Sequence, residues 1–257
     1  MRKVLAIHFT KACNRNCPFC YERLSGRKEL KQEFWFELVR YLPGLFRQVA
    51  LGGGEPSLFP EFCQKLVKEC HRHGIPISVT TNGTNGFDWA EEFDLVSVSF
   101  DSSKWPSLKR FLKATEGYRE RLGVNLLLEE VQSLCFVPVL ASFFPKVYIL
   151  LRKGKKWSEE ELMDIRKGLL FLSREFDNLY IDDSIRQVLR YGSTSGWKTP
   201  CHFGKEIISI HPDGTVSGCS FDRTPLFKLR EPRDILKVEE IRIPERFSCP
   251  FLLEDVR

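Results

Sequence analysis

Val4-Leu5-Ala6-Ile7-His8-Phe9 leads into Cys13-Asn14-Arg15-Asn16-Cys17-Pro18-Phe19-Cys20, and these residues set the reading of the whole chain. The first six have the length and apolar character of a buried strand. The three cysteines follow in one loop with C-x3-C-x2-C spacing. Iron–sulfur clusters are held by cysteine thiolates, usually four to a cubane. Three thiolates in a tight loop leave one iron of a cubane without a protein ligand, and that iron can take a substrate or cofactor directly. Structural zinc wants four ligands with close pairs of cysteines, which this spacing fits poorly.

Working outward, runs 48–51, 77–81, 95–100, 124–128, 146–151 and 178–181 also read as strands. Helical periodicity separates several of them. Residues 30–41 place Leu30, Phe34, Leu38 and Tyr41 on one face, and residues 60–73 do the same for Phe62, Leu66, Val67 and Cys70. Residues 107–121 and 158–176 are helical too, with Ser158 and Glu161 forming a capping box. Residues 130–143 show no single period. Strands alternating with helices predict an α/β fold with a parallel sheet, whose reactive residues gather at the C-terminal ends of the strands.

Three further segments lie at such ends. They are Leu51-Gly52-Gly53-Gly54-Glu55-Pro56, Thr80-Thr81-Asn82-Gly83 and Ser97-Val98-Ser99-Phe100-Asp101. With the cysteine loop they resemble, in order, the landmarks of the radical S-adenosylmethionine (SAM) superfamily, over residues 1 to about 185. The resemblance implies a partial (β/α)6 TIM-like barrel. It implies a [4Fe–4S] cluster on Cys13, Cys17 and Cys20, with SAM chelating the open iron. It also implies reductive cleavage to a 5′-deoxyadenosyl radical that takes hydrogen from a substrate. Gly53 and Gly54 are expected to let the backbone approach the methionyl group, and Glu55 to accept from its ammonium. Asn82, Ser97, Ser99 and Asp101 are expected near ribose, carboxylate or substrate, and Phe19 and Tyr21 beside the cluster or adenine. Read alone, Gly53 and Gly54 are equally a plain turn, Glu55 a surface carboxylate, and Asp101 a helix cap. His8 reads as a core histidine.

Past residue 190 the pattern changes. The stretch 191–196 is linker-like, which predicts a barrel domain over 1–190 and an extension over 191–257. Runs 207–211 and 215–217 flank Pro212-Asp213-Gly214, a hairpin signal, and about 234–241 a short helix follows. Cys201, Cys219 and Cys249 bracket the hairpin. The C-x12-G-x4-C pattern through Gly214 resembles the Twitch domain, a short form of the SPASM extension, which implies a second, auxiliary [4Fe–4S] cluster. Its fourth ligand is His202, His211, Asp222 or none. A zinc site and unligated structural cysteines are the competing readings.

The resemblance implies a peptide or protein side chain as substrate and a reducing electron donor such as ferredoxin or flavodoxin. Small-molecule chemistry, in nucleotide or cofactor biosynthesis, is the alternative. Against a close match to molybdopterin-precursor cyclases, the chain ends Glu254-Asp255-Val256-Arg257, without their diglycine tail. A glycyl-radical activase is a third option, opposed by Cys201, Cys219 and Cys249 around the hairpin, which such enzymes do not need. A non-catalytic iron–sulfur or zinc protein on a decayed barrel is a further reading, opposed by the intact Cys13, Cys17, Cys20 and Glu55.

Composition bounds these readings. With 257 residues, 42% apolar and 28% charged, the chain is ordinary for a globular protein. No apolar run reaches the ~20 residues of a membrane span, and no signal-peptide layout opens the sequence, so a cytoplasmic protein is expected. A net charge of +5 with no nucleic-acid-binding motif gives no case for nucleic acid. Six of nine cysteines fall in the two sets; Cys63, Cys70 and Cys135 are isolated in apolar contexts and read as reduced, buried small hydrophobes.

Overall fold

The computed structural model describes residues 2–20, 28–182, 185, 186, 189, 204–221, 224–241 and 243. Its elements are, in order, β1 (Arg2–His8), α1 (Gln32–Val39), β2 (Phe46–Gly52), α2 (Pro60–Arg72), β3 (Ile77–Thr81), β4 (Leu95–Phe100), α3 (Trp105–Ala114), β5 (Leu122–Leu128), α4 (Val137–Phe143), β6 (Val147–Leu151), α5 (Glu159–Glu175), β7 (Leu179–Ile181), β8 (Ile207–Ile210), β9 (Thr215–Ser217) and β10 (Phe227–Lys228). The α/β class with parallel strands is as expected. The described residues fall into two compact units. One is drawn from Met1–Thr81, Asn85–Val96 and His202–Pro244, the other from Asn82–Thr84, Ser97–Cys201 and Glu245–Arg257.

The first unit has the strand order β10-β9-β8-β1-β2-β3. β1 lies between two parallel neighbours, with Leu5 opposite Val49 and Ile208 and Ile7 opposite Leu51 and Ile210. A strand paired on both sides and covered on its faces needs apolar residues nearly throughout, which is why 4–9 reads as a continuous run. Leu5, Ile7, Val49, Leu38, Leu66 and Val67 are fully buried. Side chains of this kind each stabilise the fold by roughly 1.5–3 kcal/mol. The expected hairpin forms: β8 and β9 are antiparallel, and Gly214 turns the chain at φ +83°. Asp213 caps that turn, its Oδ1 accepting from Thr215 N at 3.1 Å. The residues expected as an extension thus supply β8 to the edge of β1.

In the second unit the order is β4-β5-β6-β7. β5, β6 and β7 are mutually parallel, and Val124, Leu126 and Leu128 alternate inward along β5. The Ser158–Glu161 capping box opens α5, which buries Leu162, Ile165, Leu169 and Leu172 on one stripe. Residues 131–136 form a 3-10 helix that runs into α4, where Pro138 occupies the first turn. Among the described residues no helix is long and apolar enough to cross a membrane.

Candidate cluster and cofactor site

β1 delivers the chain to Thr10, which is buried, and Thr10 to Ala12 then run beside the glycine segment that follows β2. Gly54 N donates to Thr10 O at 2.6 Å and Glu55 N to Ala12 O at 2.7 Å. This approach requires glycine. A Cβ on Gly53, at φ +110°, would lie 2.7 Å from Thr10 O, and one on Gly54 only 2.0 Å from Ala12 O. The glycines therefore let the chain's own cysteine-bearing loop come close, a different contact from the methionyl approach expected of them.

Beyond Ala12 the loop presents its thiols. Cys13 is exposed, and Cys17 and Cys20 are half-buried. Cys20 N donates to Cys17 O at 3.1 Å, and Arg15 N to Cys13 Sγ at 3.4 Å. Cys13 and Cys20 line a cavity of about 250 Å³ together with Lys11, Arg15, Asn16, Gly53 and Gly54. That is many times the roughly 30 Å³ share of one water molecule. Lys11 and Arg15 bring positive charge to a place where three thiolates would bring negative charge. Accessible thiols, a cavity and cations fit a cluster. Among the described residues no three His, Cys, Asp or Glu side chains close on a single-ion site.

Glu55 is 1% exposed. Its Oε1 accepts from Thr81 Oγ1 at 2.6 Å, from the end of β3, and from Ser57 N at 3.0 Å, capping the 3-10 turn over Pro56–Leu58. Glu55 is thus a buried carboxylate and not a surface one.

The other expected contacts lie in the second unit. Asn82 Oδ1 accepts from Thr84 N at 3.0 Å and Thr84 Oγ1 at 2.5 Å. Ser97 is buried, and a Cβ on Gly123 of β5 would come within 2.9 Å of its Oγ; Ser99 is half-buried. Asp101 caps the turn after β4, accepting from Ser103 N at 3.1 Å and from the Ser103 hydroxyl. Lys104 Nζ pairs with Asp101 Oδ2 at 2.9 Å, both side chains under a tenth exposed. Burial alone would raise the Asp101 carboxyl, but the bonds from Ser103 and Lys104 outweigh it and hold the pKa below its ordinary value. The cap reading of Asp101 is therefore what the geometry displays.

Phe19 is half-buried beside Cys20. Tyr21, Cys201 and Cys249, like His202, Asp222 and the linker at 191–196, lie outside the described residues. Cys219 follows β9, half-buried and free. Its carbonyl accepts from Ser217 Oγ at 2.8 Å, Ser217 meets His211 Nε2 at 2.8 Å, and His211 stacks on His8 with ring centroids 5.6 Å apart. His8 Nε2 bonds Ser220 Oγ at 3.0 Å. His8 is the core histidine expected, and His211 is engaged in the same buried cluster. Sequence reasoning missed Thr10 and Glu29. Glu29 Oε1 accepts from Lys11 N at 2.7 Å, and no motif spacing marks it.

Residues 7–131 match the Radical SAM superfamily. A Pyrococcus abyssi protein named "Probable GTP 3',8-cyclase" is 33% identical over 106 residues, 38% of this chain and 34% of that protein. The pyruvate formate-lyase-activating enzyme of Clostridium pasteurianum is 25% identical over 208 residues, 72% of this chain and 84% of that one. The chain spans between a third and about half of the length of the first two curated relatives it matches, at 34% and 51%. Among solved structures, Streptococcus suis SuiB superposes with a TM-score of 0.71 over 96% of this chain and 66% of its own, at 15% identity. The structure described as native anSMEcpe with bound AdoMet and Cp18Cys peptide gives 0.66 over 93% and 80%, at 19% identity. These superpositions establish the shared fold.

Proposed function

We propose that this chain, whose residues 7–131 match the Radical SAM superfamily, is an enzyme that cleaves SAM reductively and abstracts hydrogen from a substrate. The observation that carries this reading is the placement of Cys13, Cys17 and Cys20 on one loop locked against Gly53–Glu55 beside a cation-lined cavity. Bound there, a [4Fe–4S] cluster and SAM supply the one-electron chemistry that generates a 5′-deoxyadenosyl radical. The chain's own residues bind and orient. Cys13, Cys17 and Cys20 would hold the cluster by their thiolates. Lys11 and Arg15 offset the charge of the thiolates. Glu55 accepts from the SAM ammonium, in a position already fixed by Thr81 and Ser57. Gly53, Gly54, Phe19 and Tyr21 are assigned to SAM as well. Asn82, Ser97, Ser99 and Asp101 are assigned to SAM or substrate contacts of the second unit.

Cys219, with Cys201 and Cys249, is assigned to a Twitch-like auxiliary [4Fe–4S] cluster in the 191–257 extension. The formed hairpin, with Gly214 at its turn and Cys219 just past β9, supports it. A peptide or protein side chain is the substrate this auxiliary site favours, and a ferredoxin or flavodoxin supplies the electron. The nucleotide reading has its own support: relatives over 106 and 105 residues of the chain bear the names GTP 3',8-cyclase and S-adenosylmethionine-dependent nucleotide dehydratase.

The test is anaerobic incubation of reduced, reconstituted protein with SAM, followed by chromatography for 5′-deoxyadenosine. The wild type is expected to form it and a Cys13/Cys17/Cys20→Ala variant to form none. Absence of product from a cluster-loaded wild type would overturn the catalytic reading.

A further inference from the structure

We infer that Glu29 is a positioning residue for the loop that presents Cys13, Cys17 and Cys20, and that the C-terminal hairpin holds Glu29 in place. The inference rests on the reading of that loop as cluster-binding. Thr10, Lys11 and Ala12 are the last residues before the first cysteine, so their conformation sets where all three thiols start.

Their backbone is gripped from two sides. Toward the glycine segment, Thr10 O accepts from Gly54 N at 2.6 Å and Ala12 O from Glu55 N at 2.7 Å. Lys11 sits between them, and its N–H donates to Glu29 Oε1 at 2.7 Å. The Thr10 hydroxyl donates to the same carboxylate, 3.2 Å from Oε2, and accepts from Ala12 N at 3.1 Å. One side chain thereby holds, directly or through Thr10, the N–H groups of both Lys11 and Ala12. A carboxylate suits the task because it can accept several donors at once, and charged acceptors make the shorter, stronger bonds.

Glu29 is itself anchored through its neighbour. Leu30 N donates to Pro212 O at 2.7 Å, in the turn between β8 and β9. Gly214 leaves room for the Leu30 side chain, since a Cβ there would lie 3.2 Å from Leu30 Cδ1 and 3.0 Å from Leu229 O. Order passes from hairpin turn to Leu30, from Glu29 to Lys11, and so to Cys13. The glycine of the C-x12-G-x4-C pattern therefore serves the N-terminal cysteines as well as the hairpin.

The experiment compares wild type, Glu29→Ala and Glu29→Gln, reconstituted anaerobically as full chains. Iron is counted in excess of that held by the Cys13/Cys17/Cys20→Ala variant, and its loss to a ferrous chelator is followed in time. Spectra of the reduced cluster by electron paramagnetic resonance and thermal melting of the apoproteins are recorded alongside. The alanine variant is expected to release this iron about tenfold faster, as loss of a charge-assisted bond requires. Its spectrum should broaden, while the melting of the apoprotein changes little. The glutamine variant keeps an acceptor oxygen for Lys11 N and should stay near wild type in both readouts. An alanine variant with wild-type retention and spectrum overturns the inference, as does a glutamine variant equally defective at unchanged melting temperature. A wild type with no iron in excess of the triple variant overturns the cluster reading itself, and the positioning role with it.

Discussion

Thr81 Oγ1 donates to Glu55 Oε1 at 2.6 Å, joining the end of β3 to the segment that follows β2. Glu55 is 1% exposed, so removing a donor from its buried oxygens carries a desolvation cost. Thr81→Val should lower stability by about 1.5–3 kcal/mol, read as a shift in the urea midpoint, and Thr81→Ser should restore most of it. Glu55→Gln should weaken SAM binding about tenfold by equilibrium dialysis of the cluster-loaded protein, because a neutral amide replaces the charged acceptor.

Gly54→Ala places a methyl group 2.0 Å from Ala12 O. Backbone must move, and the Gly54 N–Thr10 O bond lies in the path of that movement. The expected outcome is a loss of at least about 1–3 kcal/mol in denaturant unfolding, the usual cost of overpacking, together with reduced iron uptake. Gly44→Ala offers a control, since a Cβ there meets nothing within 4 Å. Its positive φ of +80° makes it strained, so any stability change without loss of iron uptake separates the two effects.

The Asp101–Lys104 pair should be visible in the pH dependence of stability. The folded-state pKa of Asp101 lies below its ordinary value, so the stabilisation is complete above the unfolded value of about 3.9 and is lost as pH falls through the lower folded value. Asp101→Asn should therefore differ most from wild type near neutral pH, the gap narrowing at acid pH. Lys104→Met leaves a buried carboxylate without its cation and should cost about 3–5 kcal/mol. Urea unfolding at several pH values checks both.

Thiol labelling of the reduced apoprotein should divide the cysteines sharply. Burial, with the nearby Glu55 charge, pushes the Cys63 thiol far up, and burial with Asp94 and Glu69 pushes Cys70 up to about 12. Cys13 is exposed, and so is Cys135, against the burial expected from its apolar sequence context. At mildly alkaline pH the exposed pair should react well before Cys63 and Cys70, which are buried and held as thiols. Peptide mapping after a short pulse of alkylating reagent reads the order directly.

Much of this architecture was legible where one period dominates. The continuous apolar run of β1 and the capping box of α5 appear as expected. Residues 130–143 were not, because Pro138 reads as a breaker when isolated but is well tolerated in the first turn of α4. The helix expected over 107–121 splits at Thr115 into α3 and a 3-10 segment, the Thr115 hydroxyl bonding back to Phe111 O at 2.8 Å. The parallel pairing of β8 with β1 had no local signal, since a pairing some two hundred residues apart in sequence leaves no periodic trace. For the candidate site, the cysteines and the Gly53–Glu55 segment were readable from spacing. The partners that hold them, Thr10, Thr81 and Glu29, are single polar residues whose roles exist only in three dimensions.

The central claim is that Cys13, Cys17 and Cys20 hold a cubane. The most direct test is iron and acid-labile sulfide per chain after anaerobic reconstitution, in wild type and in the Cys13/Cys17/Cys20→Ala variant. The account predicts that the substitution removes about four irons and about four sulfides per chain. Equal iron and sulfide in the two proteins would contradict it.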